Sequence, residues 1–412
     1  MTTPLTIRVP EPPARPKETP DFSYLGLKDA PNPPVPAVDV TAADISGSVH
    51  GLVRILDDHG VAHGPWADYL AHTGDEKALR QGLRDMLTMR AIDKRMQMAQ
   101  RQGKTSFYLQ CTGEEAIGCG FQRMLSKGDM NFPTYRQQSL LVAADYPLRD
   151  FLGQLYSNEL DPMDGRQLPI MHSSKEYGFF SISGNLGTQF VQSVGWAMGS
   201  AMSGNDKIAA AWIGDGATAS SDFHSGLLMA AVYRPPVVLN VVNNQWAISA
   251  HNSIATGGES SFAARAIGYG IPAIRVDGND YLAVLAVSKW AIARARGNHG
   301  PCLIEWVTYR AAAHSTSDDP SAYRPKNEAE AWPLGDPVDR LKAHLIHNDL
   351  WSEERHTQHE VEIQVEVAAC QKEVEAHGTL LDPVEMSPAD IFRDLYADIP
   401  EHLRRQRQKM GR

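Results

Sequence analysis

Two uninterrupted apolar runs, IAAAWI (208–213) and VVLNVV (237–242), bracket a segment of different rhythm. In that segment, SDFHSGLLMAAVY (221–233), Phe223, Leu227, Leu228 and Ala231 recur at helical spacing. Short runs that are apolar at every position fit strands buried on both faces, so this part predicts strand, turn, helix, strand. The alternation then continues. A helix near 263–267 leads to the strand IPAIRV (271–276), and a helix over 281–296 leads to CLIEWVTY (302–309). Strands alternating with helices define an α/β fold whose mostly parallel central sheet, read here as parallel throughout, is flanked by helices.

Upstream, Leu79, Leu83, Met86, Leu87, Met89, Ile92 and Met96 trace a helix over 76–102, with the methionines as core packing. A second helix begins near Glu114, and another helical stretch follows Tyr135 and Arg136 in PTYRQQSLLVAADY (133–146). SISGNLGTQFVQSVGWAMGSAM (181–202) reads as a Gly-rich turn feeding a helix. Its Gly195, Ala197, Gly199 and Ala201 are suited to close approach by another helix or the sheet. Residues 1–36 hold ten prolines, which exclude helix and central strand and predict an extended arm. Phe22, Tyr24, Leu25 and Leu27 would anchor that arm on a partner subunit. The charged helical stretch 338–371 is expected to pack outside the core or to bridge subunits. Three regions result: an arm over 1–45, an α/β domain over 46–335 and a helical C-terminal region over 336–412.

Composition narrows the choice of partners. A net charge of −10 argues against nucleic acid and anionic membranes. The four cysteines are far apart and form no CxxC pair, so neither a disulfide framework nor a zinc site is expected. No signal peptide and no apolar run of 18 residues stands out, which predicts a cytoplasmic chain.

The chemistry concentrates where the apolar runs end. Gly214-Asp215-Gly216 follows the first run and Asn243-Asn244 the second. In a parallel sheet those ends border the crevice where α/β folds bind ligands. Gly-Asp-Gly alone is an ordinary turn; its pairing with the downstream amides points to Mg²⁺ holding a diphosphate. Asp215 would supply a charged oxygen, Asn244 an amide oxygen and Trp246 a backbone carbonyl, with diphosphate oxygens and water completing six hard ligands. Gly214 and Gly216 would permit strained backbone angles and close approach. The N–H groups of Gly216 and Ala217 would face the anion.

This arrangement resembles the thiamine diphosphate signature, which VVNNQWAIS (241–249) sharpens. IRVDGND (274–280), EWVTYR (305–310) and HSTSDDPSAYR (314–324) resemble the alpha subunit of branched-chain 2-oxo acid dehydrogenase, the decarboxylating component of a multienzyme complex. The likeness runs from about Leu83 to the C-terminus and leaves the first fifty residues without a counterpart. It implies Arg136 as a diphosphate clamp, Tyr135 beside the cofactor, Leu186 propping the cofactor in its bent form and Gly184 flanking it. In some relatives the same loop holds K⁺ through positions matching Ser183, Asn185, Thr188 and Gln189.

The resemblance also makes His314 the catalytic side chain, able to stabilise or protonate a developing alkoxide, and a cofactor-binding residue. Arg310, Asp318, Asp319 and Arg324 would order its loop as an ion-pair set, and Ser315 matches a serine that a kinase modifies in some relatives. Val242 departs from the pattern, because many relatives carry an arginine there.

With one α/β core in view, the missing half-site is assigned to a beta subunit in an alpha2-beta2 heterotetramer. The implied reaction decarboxylates a 2-oxo acid and passes the acyl group to the lipoyl domain of a transacylase core. HSTSDD favours branched-chain substrates; a pyruvate or acetoin dehydrogenase alpha subunit is the alternative within the class, and a non-catalytic scaffold the alternative outside it. A nucleotide-binding protein is disfavoured, since neither a Walker lysine loop nor a GxGxxG turn follows a strand.

Overall fold

The computed structural model describes residues 7, 9–27, 30–70, 76–256, 261–383, 388–393 and 396–411. Its strands are β1 (Met130–Phe132), β2 (Ala209–Gly214), β3 (Val237–Asn243), β4 (Trp246–Ala247), β5 (Ala250–His251), β6 (Ala273–Asp277) and β7 (Cys302–Val307). Five of them form one sheet in the order β1-β2-β3-β7-β6, every neighbouring pair parallel. The expectation of a parallel sheet holds for this central sheet. The antiparallel pair β4–β5 is a separate hairpin that the apolar pattern misses, as it misses the three-residue β1.

Side-chain alternation along the strands decides the layers. Ala210, Trp212, Val238, Ile274, Ile304 and Trp306 face one hydrophobic cluster, which contains Leu83, Met86, Met89 and Met96 of helix Glu76–Arg101 and Trp290 of helix Tyr281–Arg296. Ala211, Ile213, Leu239, Val241, Ala273 and Leu303 face the other, covered by helices Thr188–Met202, Ser221–Tyr233 and Phe262–Gly268. Both faces of the sheet are therefore buried, which is why its strands read as continuous apolar runs.

Helix Ser221–Tyr233 starts where Ser220 accepts a hydrogen bond from Phe223 N–H, and helix Tyr281–Arg296 where Asp280 accepts from Ala283 N–H. The stretch after Arg136 is helical only over Ser139–Ala143. Ala197 is fully buried in the cluster on this face of the sheet, as expected, whereas close approach between helices Thr188–Met202 and Ser221–Tyr233 is made at Gly226. A Cβ on Gly226 would stand 2.8 Å from Phe190 Cβ, whereas Gly195 and Gly199 have no atom in the way. The C-terminal region contains helices Pro337–His347 and Glu353–Glu375, and Ile363, Val367 and Val374 of the second join the core of helix Glu76–Arg101.

The arm packs along its own chain. Its Phe22, Leu25 and Leu27 pack with Leu52, Trp246, Val307, Tyr309, Trp332 and Leu334 of the same chain, so its anchors grip their own domain. Cys111, Cys119, Cys302 and Cys370 are all free thiols. Among the described residues no helix is long and apolar enough to cross a membrane.

Candidate active site

Sheet register brings the predicted residues together. Gly214 pairs with Val242, and Asp215 N–H donates to Val242 O at 3.1 Å, so Asp215 and Asn244 leave adjacent strand ends. Beyond β7, Thr308 N–H donates to Asn243 O at 3.0 Å and Arg310 N–H to Asn244 O at 3.2 Å, which leads the chain alongside toward His314. Beyond β1 come Tyr135 and Arg136. These ends enclose a cavity of about 490 Å³, whose walls include Tyr135, Arg136, Leu186, Asp215, Asn244 and His314, together with Gly216, Ala217, Trp246 and the apolar Val242.

The candidates outside its lining are Gly184, Ser183, Asn185, Thr188 and Gln189. They form a self-bonded loop leading to Leu186 and the helix behind it. Thr188 Oγ1 donates to Asn185 O at 3.0 Å, Gln189 Nε2 to Ser183 O at 3.4 Å, and Gly187 N–H to Gln189 Oε1 at 2.8 Å.

Asp215 is buried, with only 2% of its surface exposed. Its Oδ1 accepts from Gly216 N–H at 2.7 Å, while Oδ2 is buried without any hydrogen-bond partner. Burial pushes its pKa up to about 6, against the opposing pull of the Gly216 N–H, Arg310 and the nearby Gln245 N–H. The strained backbone angles expected at the two glycines are absent. Neither Gly214 nor Gly216 has positive φ. Gly216 is needed for space, because a Cβ there would lie 2.2 Å from Ala247 Cβ. Its N–H is already taken by Asp215.

Asn244 is oriented by its neighbours. Its Nδ2 donates to Glu114 Oε1 at 2.7 Å, and its Oδ1 accepts from Trp246 N–H at 3.3 Å. One Oδ1 lone pair thus remains for a ligand. The Trp246 carbonyl accepts from Arg310 Nη1 at 2.9 Å, so any cation there shares this oxygen with a guanidinium.

On the cationic side, Arg136 is 5% exposed and central. It donates from Nη1 to Gln110 O at 2.6 Å and from Nη2 to His314 O at 3.0 Å, with its guanidinium 5.6 Å from the Tyr135 ring centre. His314 Nδ1 lies 3.2 Å from Arg136 Nη2 and 3.4 Å from Arg310 Nη1. Guanidinium groups only donate, so Nδ1 is the acceptor and the ring proton belongs on Nε2. Burial first, then Arg136 and Arg310, pushes the His314 pKa down to about 3, with Asp318 opposing. The imidazole is neutral at pH 7.

The loop after β7 is ordered by carbonyl binding in place of the expected ion-pair set. Arg310 Nη2 donates to Ile248 O at 2.8 Å and Tyr323 Oη at 2.7 Å, and Arg324 Nη1 to Arg310 O at 2.8 Å. Asp318 Oδ2 accepts from His314 N–H at 2.7 Å and Tyr323 Oη at 2.6 Å, while Asp319 caps the following turn through Ser321 N–H and Oγ. Ser315 is half-buried in this loop and accepts from Ser317 N–H at 3.2 Å.

Sequence reasoning missed Glu114. It is 4% exposed, holds Asn244 and lies 3.7 Å from Arg136 Nε, with Oε2 unpartnered. Burial pushes its pKa up to about 7, with the Arg136 charge the largest opposing influence. The available signal was a Glu-Glu pair opening an apolar helix, which also reads as ordinary pairing with a helix N-terminus.

A family model described as Dehydrogenase E1 component matches residues 83–381, and one described as 2-oxoisovalerate dehydrogenase E1 alpha subunit N terminal matches residues 3–43. The chain belongs to the dehydrogenase E1 component family, whose members are thiamine diphosphate-dependent oxidoreductases. Within it, the chain is 58% identical over 408 residues to 2-oxoisovalerate dehydrogenase subunit alpha of Pseudomonas aeruginosa, covering 99% of this chain and 98% of that one. The mitochondrial subunit alpha of Mus musculus is 36% identical over 362 residues, 88% of this chain and 80% of the relative. Subunit alpha 1 of Arabidopsis thaliana is 38% identical over 302 residues, 73% and 63% respectively. The arm therefore has counterparts, contrary to the expectation for the first fifty residues.

Proposed function

We propose that this chain is the alpha subunit of a branched-chain 2-oxo acid dehydrogenase and holds the Mg²⁺-diphosphate half of the thiamine diphosphate site. The observation that carries this reading is the bare Oδ2 of Asp215, buried at a strand end beside an amide whose nitrogen is tied back by Glu114. Buried polar atoms are as a rule partnered, so this oxygen marks a place for a cation. A carboxylate, an amide oxygen and a shared carbonyl are hard donors, and a diphosphate would supply the rest of an octahedral shell. Arg136 provides the clamp, and Val242 leaves it without a second cation at that position. When bound, thiamine diphosphate supplies the nucleophilic carbon and the electron sink for loss of CO₂ from a 2-oxo acid.

The remaining tasks fall to side chains of the cavity. With its proton on Nε2, His314 can donate to oxygen as negative charge develops there, without first becoming cationic. Tyr135 and Leu186 offer walls against which a cofactor can be oriented. The family reading extends to K⁺ in the loop of Ser183, Asn185, Thr188 and Gln189, supported by the Ser183 and Asn185 carbonyls and the polar side chains gathered there. It also extends to an alpha2-beta2 assembly with a beta subunit, to acyl transfer onto the lipoyl domain of a transacylase core and to a cytoplasmic setting consistent with the free thiols.

The relatives' names carry the choice of branched-chain over other 2-oxo acids. The test is reconstitution with the beta subunit and comparison of kcat/KM for 3-methyl-2-oxobutanoate and pyruvate. The former should be preferred; a preference for pyruvate would overturn the substrate assignment.

A further inference from the structure

The arm reaches the turn that carries the proposed Mg²⁺ ligands from behind the cavity. Next to Asn244, Gln245 has φ of 75°, a left-handed conformation that is costly for a residue with a side chain. Such a conformation persists only where the surroundings impose it. The Gln245 side chain is fully buried and saturated with hydrogen bonds. Nε2 donates to Asn243 O at 2.9 Å, Asn243 Oδ1 at 3.1 Å and Thr308 O at 3.1 Å. Oε1 accepts from Asn252 Nδ2 at 2.8 Å and from Tyr24 Oη at 2.9 Å. Tyr24 is the partner that comes from the arm.

The same tyrosine braces the other side of the turn. Its ring meets His251 edge to face, with centres 5.0 Å apart, and His251 meets Trp246 in the same way at 5.2 Å. The arm's own position is fixed nearby. Phe22 packs edge-on against Tyr309 and Trp332, at 6.1 and 5.2 Å, and Arg275 Nη2 donates to Leu25 O at 3.3 Å. The arm thus touches both neighbours of Gln245 indirectly: Asn244 through the strained backbone, and Trp246 through His251.

We propose that Tyr24 is a positioning residue for the cofactor site, its hydroxyl locking Gln245 so that the Asn244 amide and the Trp246 carbonyl keep their ligand geometry. This deepens the reading of the cavity as an Mg²⁺-diphosphate site and rests on it. Tyr24→Phe removes one hydroxyl and keeps the ring contacts. In the full-length chain assembled with its beta subunit, Mg²⁺ would be titrated at saturating thiamine diphosphate and followed by calorimetry, with Asp215→Ala as the control.

Loss of one hydrogen bond predicts an Mg²⁺ Kd raised about five-fold in Tyr24→Phe. KM for the 2-oxo acid at saturating cofactor should stay within about two-fold of wild type by the same reasoning. An unchanged Kd, with or without a lowered melting temperature, while Asp215→Ala abolishes binding would overturn the role of Tyr24 and leave the site reading standing. Unchanged binding in Asp215→Ala would overturn the site reading itself. Should Tyr24→Phe fail to assemble, Tyr24→Met keeps an apolar side chain without the hydroxyl and leaves Gln245 intact, and the same Kd shift or its absence decides.

Discussion

Asp93 and Asp215 are both buried acids near the cavity, built in opposite ways. Asp93 Oδ1 accepts from Tyr108 Oη at 2.7 Å, and its Oδ2 from Cys111 N–H and Thr112 Oγ1, each at 2.8 Å. Asp215 receives one donor on Oδ1 and none on Oδ2. Burial raises both pKa values, to about 7 and about 6. Burial and pKa therefore do not tell the two apart; the count of satisfied oxygens does. Where the chain supplies every partner, the carboxylate fastens a loop, here 108–112. Where it leaves one oxygen bare at a strand end, the partner is expected from outside.

His314 sharpens this contrast as a group proposed to act chiefly in proton donation, with a lesser part in holding the cofactor. His314→Ala should lower kcat of the assembled enzyme by about 10²–10⁴-fold, the range for a positioned proton donor, with thiamine diphosphate affinity nearly unchanged. Parallel loss of affinity, read by calorimetry, would instead make it a binding residue.

Asp93→Ala strands three donors and should lower unfolding free energy by about 3 kcal/mol in urea melts, while the assembled enzyme still binds Mg²⁺. Loss of Mg²⁺ binding, as expected of Asp215→Ala, would erase the distinction between the two acids. A second effect of the same group concerns pH. The folded pKa of Asp93 lies above its ordinary value near 3.8, so the folded chain binds the extra proton between pH 4 and 7. Stability from this group is present below that window and is lost as pH rises through it. The stability advantage of wild type over Asp93→Asn should thus shrink from pH 4 to 7, by at most about 1.4 kcal/mol per unit. An advantage that grows with pH would mean that the hydrogen bonds outweigh burial.

How much of this could be read from residues alone depends on where each partner sits in the chain. Asp215 and Asn244 were legible because apolar runs announce strand ends, and neighbouring strand ends share a crevice. Helices Ser221–Tyr233 and Tyr281–Arg296 were legible because their apolar spacing is long and bounded. The β4–β5 hairpin and β1 have too few residues for any period to register. The charges of Arg310, Asp318 and Arg324 were visible, but their partners are mostly backbone carbonyls and Tyr323, which sequence does not distinguish from one another. Glu114 and Tyr24 escaped because their roles come from contacts 130 and 221 positions away. The cofactor chemistry itself entered through resemblance to a family.

The claim beneath the site is that Asp215 and Asn244 grip a divalent cation that anchors thiamine diphosphate. The direct measurement is calorimetric titration of the assembled alpha and beta chains with the cofactor, with and without Mg²⁺, for wild type and Asp215→Ala. Wild type should bind tightly only when Mg²⁺ is present, and Asp215→Ala should lose that Mg²⁺-dependent binding. Equal binding by both proteins, or wild-type binding indifferent to Mg²⁺, would contradict the account.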